Sequence, residues 1–104
     1  MNTPKRGQFR HIVFKDGDTW YAVALEFNIV ETGDDAKLAY FNLLQVAEGY
    51  IKTVGKVKGT KGGYQSLNQT GDPEYESMWK NLHASNPLKS PYQIDMYGVS
   101  SVHA

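Results

Sequence analysis

An alternating run, Phe9–Phe14, and a run rich in aromatic and apolar residues, Trp20–Leu25, stand on either side of an Asp16-Gly17-Asp18 turn. Asp-Gly supplies the positive backbone angle that a tight connection needs, so the two runs are expected to pair as an antiparallel hairpin. Alternation places Arg10, Ile12 and Phe14 on one side of the first strand and Phe9, His11 and Val13 on the other. After a turn at Glu26-Phe27-Asn28, Ile29–Thr32 reads as a short third strand that Gly33 ends. A three-stranded meander of this kind has a face that another layer must cover.

The covering element follows directly. From Asp35 to about Lys52 the residues Ala36, Ala39, Tyr40, Leu43, Leu44, Val46, Ala47, Tyr50 and Ile51 recur at helical spacing. Asp35 suits the N-cap, because its carboxylate can accept from the unpaired N–H groups of the first turn. Gly59, Gly62 and Gly63, with lysines and polar residues, then give a flexible loop over 56–71. Asp72-Pro73-Glu74 opens a second, shorter helix, with Tyr75, Met78, Trp79 and Leu82 on its apolar face. Pro87 and Pro91 stop it, and Tyr92–Tyr97 reads as a fourth strand weakening at Gly98. The expected fold is α+β: a three-stranded antiparallel meander plus a C-terminal strand, packed by one long helix, with a second short helix near it. All 104 residues are assigned to one domain, with a core over 9–52, the loop over 56–71, and a helix and strand over 72–100.

Composition narrows the class of function. There are no cysteines, which excludes disulfides and thiolate metal sites. No window approaches the roughly 20 apolar residues of a membrane span, and the N-terminus lacks the apolar core of a secretory signal; a cytoplasmic protein is expected. Net charge is zero, unlike a protein that coats nucleic acid. The charges are nonetheless segregated. Asp16–Asp35 carries six acids and no Lys or Arg, while Lys52–Lys61 carries four lysines and no acid. Both stretches read as solvated faces; the functional alternative is an acidic surface that meets a basic partner.

Catalysis finds little support in the residues. A two-metal nuclease needs three or four converging carboxylates; of the candidates Asp16, Asp18, Glu26, Glu31 and Asp34, the first two flank the hairpin glycine, where acids serve turn chemistry, and Glu26 and Asp34 sit near strand ends. His11, His83 and His103 show no metal-ligand spacing. His11 is the one histidine worth testing as a proton donor. No phosphate loop or nucleophile elbow is present, and no cofactor or metal is expected. Lys52, Lys56, Lys58 and Lys61 could touch nucleic acid through phosphates, without sequence information in those contacts.

The series Phe9–Phe14, Trp20-Tyr21-Ala22, Leu25-Glu26, Ile29–Asp34 and then Ala39, Asn42, Leu43, Ala47 and Tyr50 resembles the HicB family of antitoxins. In that family a similar order runs through an aromatic pair on the second strand, a Leu-Glu step, a short strand ending in Gly, and an Ala-x-x-Asn-Leu helix core. The match covers about the first half of the chain. The resemblance implies a partial ribonuclease H-like fold without its metal-binding carboxylates, self-association, and a small basic HicA-type ribonuclease toxin as partner. The chain departs from the family in its helix start, where Asp35 stands for Thr and Lys37-Leu38 for acids. It also lacks a following helix-turn-helix pattern for DNA. On this reading Asp16, Asp18, Glu26, Glu31, Asp34 and Trp79 are the expected partner-binding residues. The lysines are the nucleic-acid alternative, and the unpaired edge strand is expected to make a homodimer.

Overall fold

The computed structural model describes residues 2, 6–55 and 67–103. Lys56, Lys58 and Lys61, and most of the predicted loop, lie outside them. The elements follow the order β1 (Arg6–Asp16), β2 (Thr19–Ala24), β3 (Ile29–Gly33), α1 (Ala36–Gly55), α2 (Pro73–Leu82) and β4 (Gln93–His103). The four strands form one antiparallel sheet in the order β3-β2-β1-β4, so β1 lies inside and β3 and β4 are the edges. The α+β layout read from the sequence is the one observed.

Local chemistry explains each junction. Gly17 takes φ 64° as the first residue of the two-residue loop joining Asp16 to its cross-strand partner Thr19, the position where a II′ hairpin demands glycine. At the β2–β3 turn the Asn28 N–H donates to the Leu25 carbonyl at 3.2 Å, and Asn28 takes φ 52°, which Asn tolerates better than most residues. Asp35 and Asp72 act as N-caps: their Oδ1 atoms accept from the Leu38 and Glu74 N–H groups at 2.7 and 2.9 Å.

The sheet is covered on both faces, and the two layers differ. On one face Ala39, Leu43, Ala47 and Ile51, spaced one helical turn apart along α1, are fully buried against Phe9, Val13, Ala22 and Ala24. The small side chains of Ala22 and Ala24 let the helix lie close. Gly33 does the same at its start: a Cβ there would fall 2.4 Å from the Ala39 nitrogen. The Asn42 side chain donates to the Thr32 carbonyl at 2.9 Å, tying α1 to the short edge strand. On the other face Ile12, Phe14, Val23 and Leu25 are buried beneath Tyr75, Met78, Trp79 and Leu82 of α2. The second helix therefore packs on the opposite side of the sheet from α1.

Two features depart from the sequence reading. β4 does not weaken at Gly98 but runs on to His103, paired with β1 as far as Arg6. Its register also shifts between Val13 and Phe14, which pair with Met96 and Ile94 and leave Asp95 as the extra residue. That bulge turns the alternation over: Met96 packs with the α1 layer, whereas Ile94 and Tyr92 pack with the α2 layer. The described end of the predicted loop, 67–71, is irregular but well anchored. Leu67 is fully buried in the α1 cluster, and the Gln69 N–H donates to the Glu26 carbonyl at 2.9 Å. Asn2 braces the same segment: its Nδ2 donates to the Leu67 carbonyl at 2.7 Å, and its Oδ1 accepts from the Gln8 N–H at 2.7 Å.

Candidate functional site

The hydrogen-bonding order of the strands decides which acids meet. Asp16 and Asp18 lie at the tip of the β1–β2 hairpin. Because Trp20 pairs with Gly33, Asp34 falls at the same end of the sheet. Asp16, Asp18 and Asp34 are all exposed, and none forms an ion pair with a described residue. The nearest strand cation, Lys15, lies over the Trp20 ring at 6.0 Å. Lys15 also pairs with Gln93, so Tyr92, the residue before β4, stands at this end. The Tyr92 hydroxyl donates to Glu74 Oε1 at 2.9 Å, and that carboxylate, with Asp16 adding to it, raises the phenol's pKa. The acidic end thus extends across the sheet from the β3–α1 junction to the start of α2.

Glu31 and Glu26 stand elsewhere. Glu31 pairs with Ala22 in the middle of β3 and is half-buried. Glu26 lies at the opposite end of the sheet and faces inward. Its Oε1 accepts from the Arg10 N–H and its Oε2 from Arg10 Nε, both at 2.7 Å. The remaining two guanidinium nitrogens of Arg10 donate to Glu76 of α2, also at 2.7 Å each. Glu76 Oε2 accepts in addition from the Gly71 N–H at 2.8 Å. The guanidinium and the Gly71 N–H hold the Glu76 carboxyl below its ordinary pKa, and the two carboxylates raise that of Arg10. Sequence reasoning placed Glu26 on the acidic surface and did not find this cluster. The signal was Arg10 itself, a cation on the same strand face as Ile12 and Phe14, which calls for a countercharge.

Trp79 closes the α2 layer beside this cluster. Arg10 lies 5.6 Å from its ring centre, the His83 ring lies tilted against it at 4.5 Å, and Tyr97 of β4 meets it edge-on at 6.3 Å. The indole is half-buried, a seam between α2 and β4 rather than a free anchor. On the lysine side, Lys52 is exposed and pairs with Glu48 at 3.1 Å.

His11 belongs to a buried chain on the α1 face. Its Nδ1 lies 2.6 Å from Ser100 Oγ, which lies 2.7 Å from the Tyr40 hydroxyl, and the His11 and Tyr40 rings are 5.0 Å apart. Burial lowers the His11 pKa. With His11 and Ser100 both shut away from solvent, this chain joins β1, β4 and α1 and offers no group to a substrate. An open apolar depression of about 290 Å³ between α2 and the start of β4, walled by Met78, Leu82, Leu88 and Ile94, gathers no titratable cluster. Among the described residues no three His, Asp or Glu side chains stand close enough to hold a metal ion. Every buried side-chain nitrogen or oxygen there has a hydrogen-bond partner, and no helix is long and apolar enough to cross a membrane.

No protein-family model, no curated protein and no solved structure matches the chain.

Proposed function

We propose that the chain is a binding domain of the HicB antitoxin kind, which neutralises a small basic HicA-type ribonuclease in the cytoplasm by covering its surface. The observation that carries this reading is the exposed acidic end formed by Asp16, Asp18 and Asp34, whose carboxylates have no cation partner among the described residues. A concentration of one sign of charge at one end of a domain steers a basic partner and fixes its orientation. The residues quoted for the family resemblance have matching physical roles: Ala39, Leu43 and Ala47 bury α1, and Asn42 holds it to β3. Glu26 is left out of the proposed contact, since Arg10 occupies both of its oxygens. Nothing observed favours the lysine-mediated nucleic-acid reading or a metal-dependent nuclease.

The test is a binding and inhibition assay against the product of the adjacent reading frame, which this reading expects to be a small basic HicA-type ribonuclease. The expected result is a stoichiometric block of RNA cleavage, with association that slows as salt rises. Reversing the three charges together (Asp16→Lys, Asp18→Lys, Asp34→Lys) should cut the association rate by about tenfold or more at low salt and leave the melting temperature near that of the parent. Association unchanged by the reversal would remove the acidic end from the mechanism, and no inhibition of cleavage would remove the antitoxin reading.

A further inference from the structure

The two edges of the sheet are unlike. β3 has five residues, short enough to be a poor template for another strand, and carries Glu31. β4 has eleven residues from Gln93 to His103, with no proline and no lysine, and among the described residues its outer edge is unpaired. Short length, lysine and proline are among the devices that keep edges apart, and β4 has none of these three; its one bulge and its one acid coincide at Asp95, near the start of the strand, and leave the stretch beyond it clear. It also turns apolar side chains outward on the α2 side of the sheet, with Val99 61% and Tyr97 45% exposed.

We propose that β4 pairs antiparallel with β4 of a second copy of this chain, about a two-fold axis at Val99, making one continuous eight-stranded sheet. In antiparallel pairing directly opposed residues share a face, so a symmetric pair of identical strands must centre on a residue. The straight part of β4 lies between the Asp95 bulge and His103, and its middle residue is Val99. Centred there, Val99 faces its own copy, Tyr97 faces Ser101 and lies diagonal to Val99, and Asp95 faces His103 at each end. The two outer pairs are thus complementary, acid against imidazole, and no like charges oppose. The pairing would also bring Tyr97, with the Trp79 and His83 rings edge-on beside it, to the seam between the two copies. This inference is independent of the antitoxin reading: a failed toxin assay leaves it untouched, and a monomeric protein leaves that assay untouched.

The test is the mass in solution, by light scattering and sedimentation, across the micromolar range. The parent chain should run as a dimer and Val99→Lys as a monomer, with circular dichroism and melting temperature preserved in the variant. Asp95→Lys alone and His103→Glu alone should each raise the dimer dissociation constant, by about tenfold if each of the two symmetric pairs contributes some 0.7 kcal/mol. The double swap Asp95→Lys/His103→Glu should restore association. A monomeric parent, or a Val99→Lys variant that still dimerises, would overturn the proposal. Single variants without effect, or a double swap no better than the singles, would overturn the Val99 register.

Discussion

Arg10 on β1 and Glu76 on α2, 66 residues apart in the chain, meet in a fork of two hydrogen bonds of 2.7 Å each. This fork, with the Glu26 contacts on the other side of the guanidinium, fastens α2 to the sheet. The helix has no fully buried residue of its own, so the ion pair matters more here than it would beneath a well-packed helix.

Replacing Arg10 with Ala strands two half-buried carboxylates. Loss of one partner from a fully buried pair costs about 3–5 kcal/mol. The side chains here keep 22–26% of their exposure, and solvent screening reduces the expected loss to about 1–3 kcal/mol. Arg10→Lys should recover only part of it, because an ammonium cannot donate in a fork to Glu76 while also reaching Glu26. Urea unfolding measures the loss. Amide exchange should show α2 opening first in both variants.

Acid should weaken the fold in two stages. The folded His11 pKa lies below its ordinary value of 6.5, so the unfolded chain binds the extra proton. Stability is full above about 6.5 and falls as pH drops from there toward the folded value. The folded Glu76 pKa lies below its ordinary value of 4.5. Its contribution is full above about 4.5 and is lost as pH falls further, through the folded value. Urea midpoints taken from pH 8 to pH 3 should show both declines. His11→Asn should flatten the first and Glu76→Gln the second; a variant with an unaltered slope would place the titration elsewhere.

Two glycines give opposite expectations. At Gly33 a Cβ would press on the Ala39 backbone at 2.4 and 2.9 Å, with no flexible side chain to yield. Gly33→Ala should therefore lift the start of α1 and cost about 2–3 kcal/mol. At Gly49, inside α1, a Cβ meets nothing within 4 Å. Gly49→Ala should stabilise by about 0.5–1 kcal/mol through helix propensity and a less free unfolded chain. Thermal melts of the pair check both signs.

What could be read from the sequence were the features set by neighbours in the chain. The hairpin at Gly17, the caps at Asp35 and Asp72, and the one-turn spacing of Ala39, Leu43, Ala47 and Ile51 all follow from local pattern. The features that escaped depend on distant partners. Gly98 looks like the end of a strand, yet a Cβ there would touch the buried His11 ring at 3.4 Å, so the glycine makes room for the histidine while the strand continues. The Asp95 bulge leaves no mark in the alternation of Tyr92, Ile94 and Met96, because register is set by β1. Leu67 lies in a polar, glycine-rich context, and only the packed α1 layer reveals it as core. Of the expected partner-binding residues, strand order gathers Asp16, Asp18 and Asp34 at one end; Glu26 and Trp79 go to the Arg10 cluster, and Glu31 stays in the middle of the edge strand.

The unequal helices on the sheet give the molecule a stiff flank and a yielding one. On the α1 flank, a continuous cluster of buried side chains resists any opening short of global unfolding. On the α2 flank, one charged latch and a rim of half-covered aromatics hold the layer, so that helix can lift while the strands beneath stay paired. A local fluctuation of this kind would bare Ile12, Phe14 and Val23 together, placing the hidden adhesive surface of the domain on the side that opens at least cost.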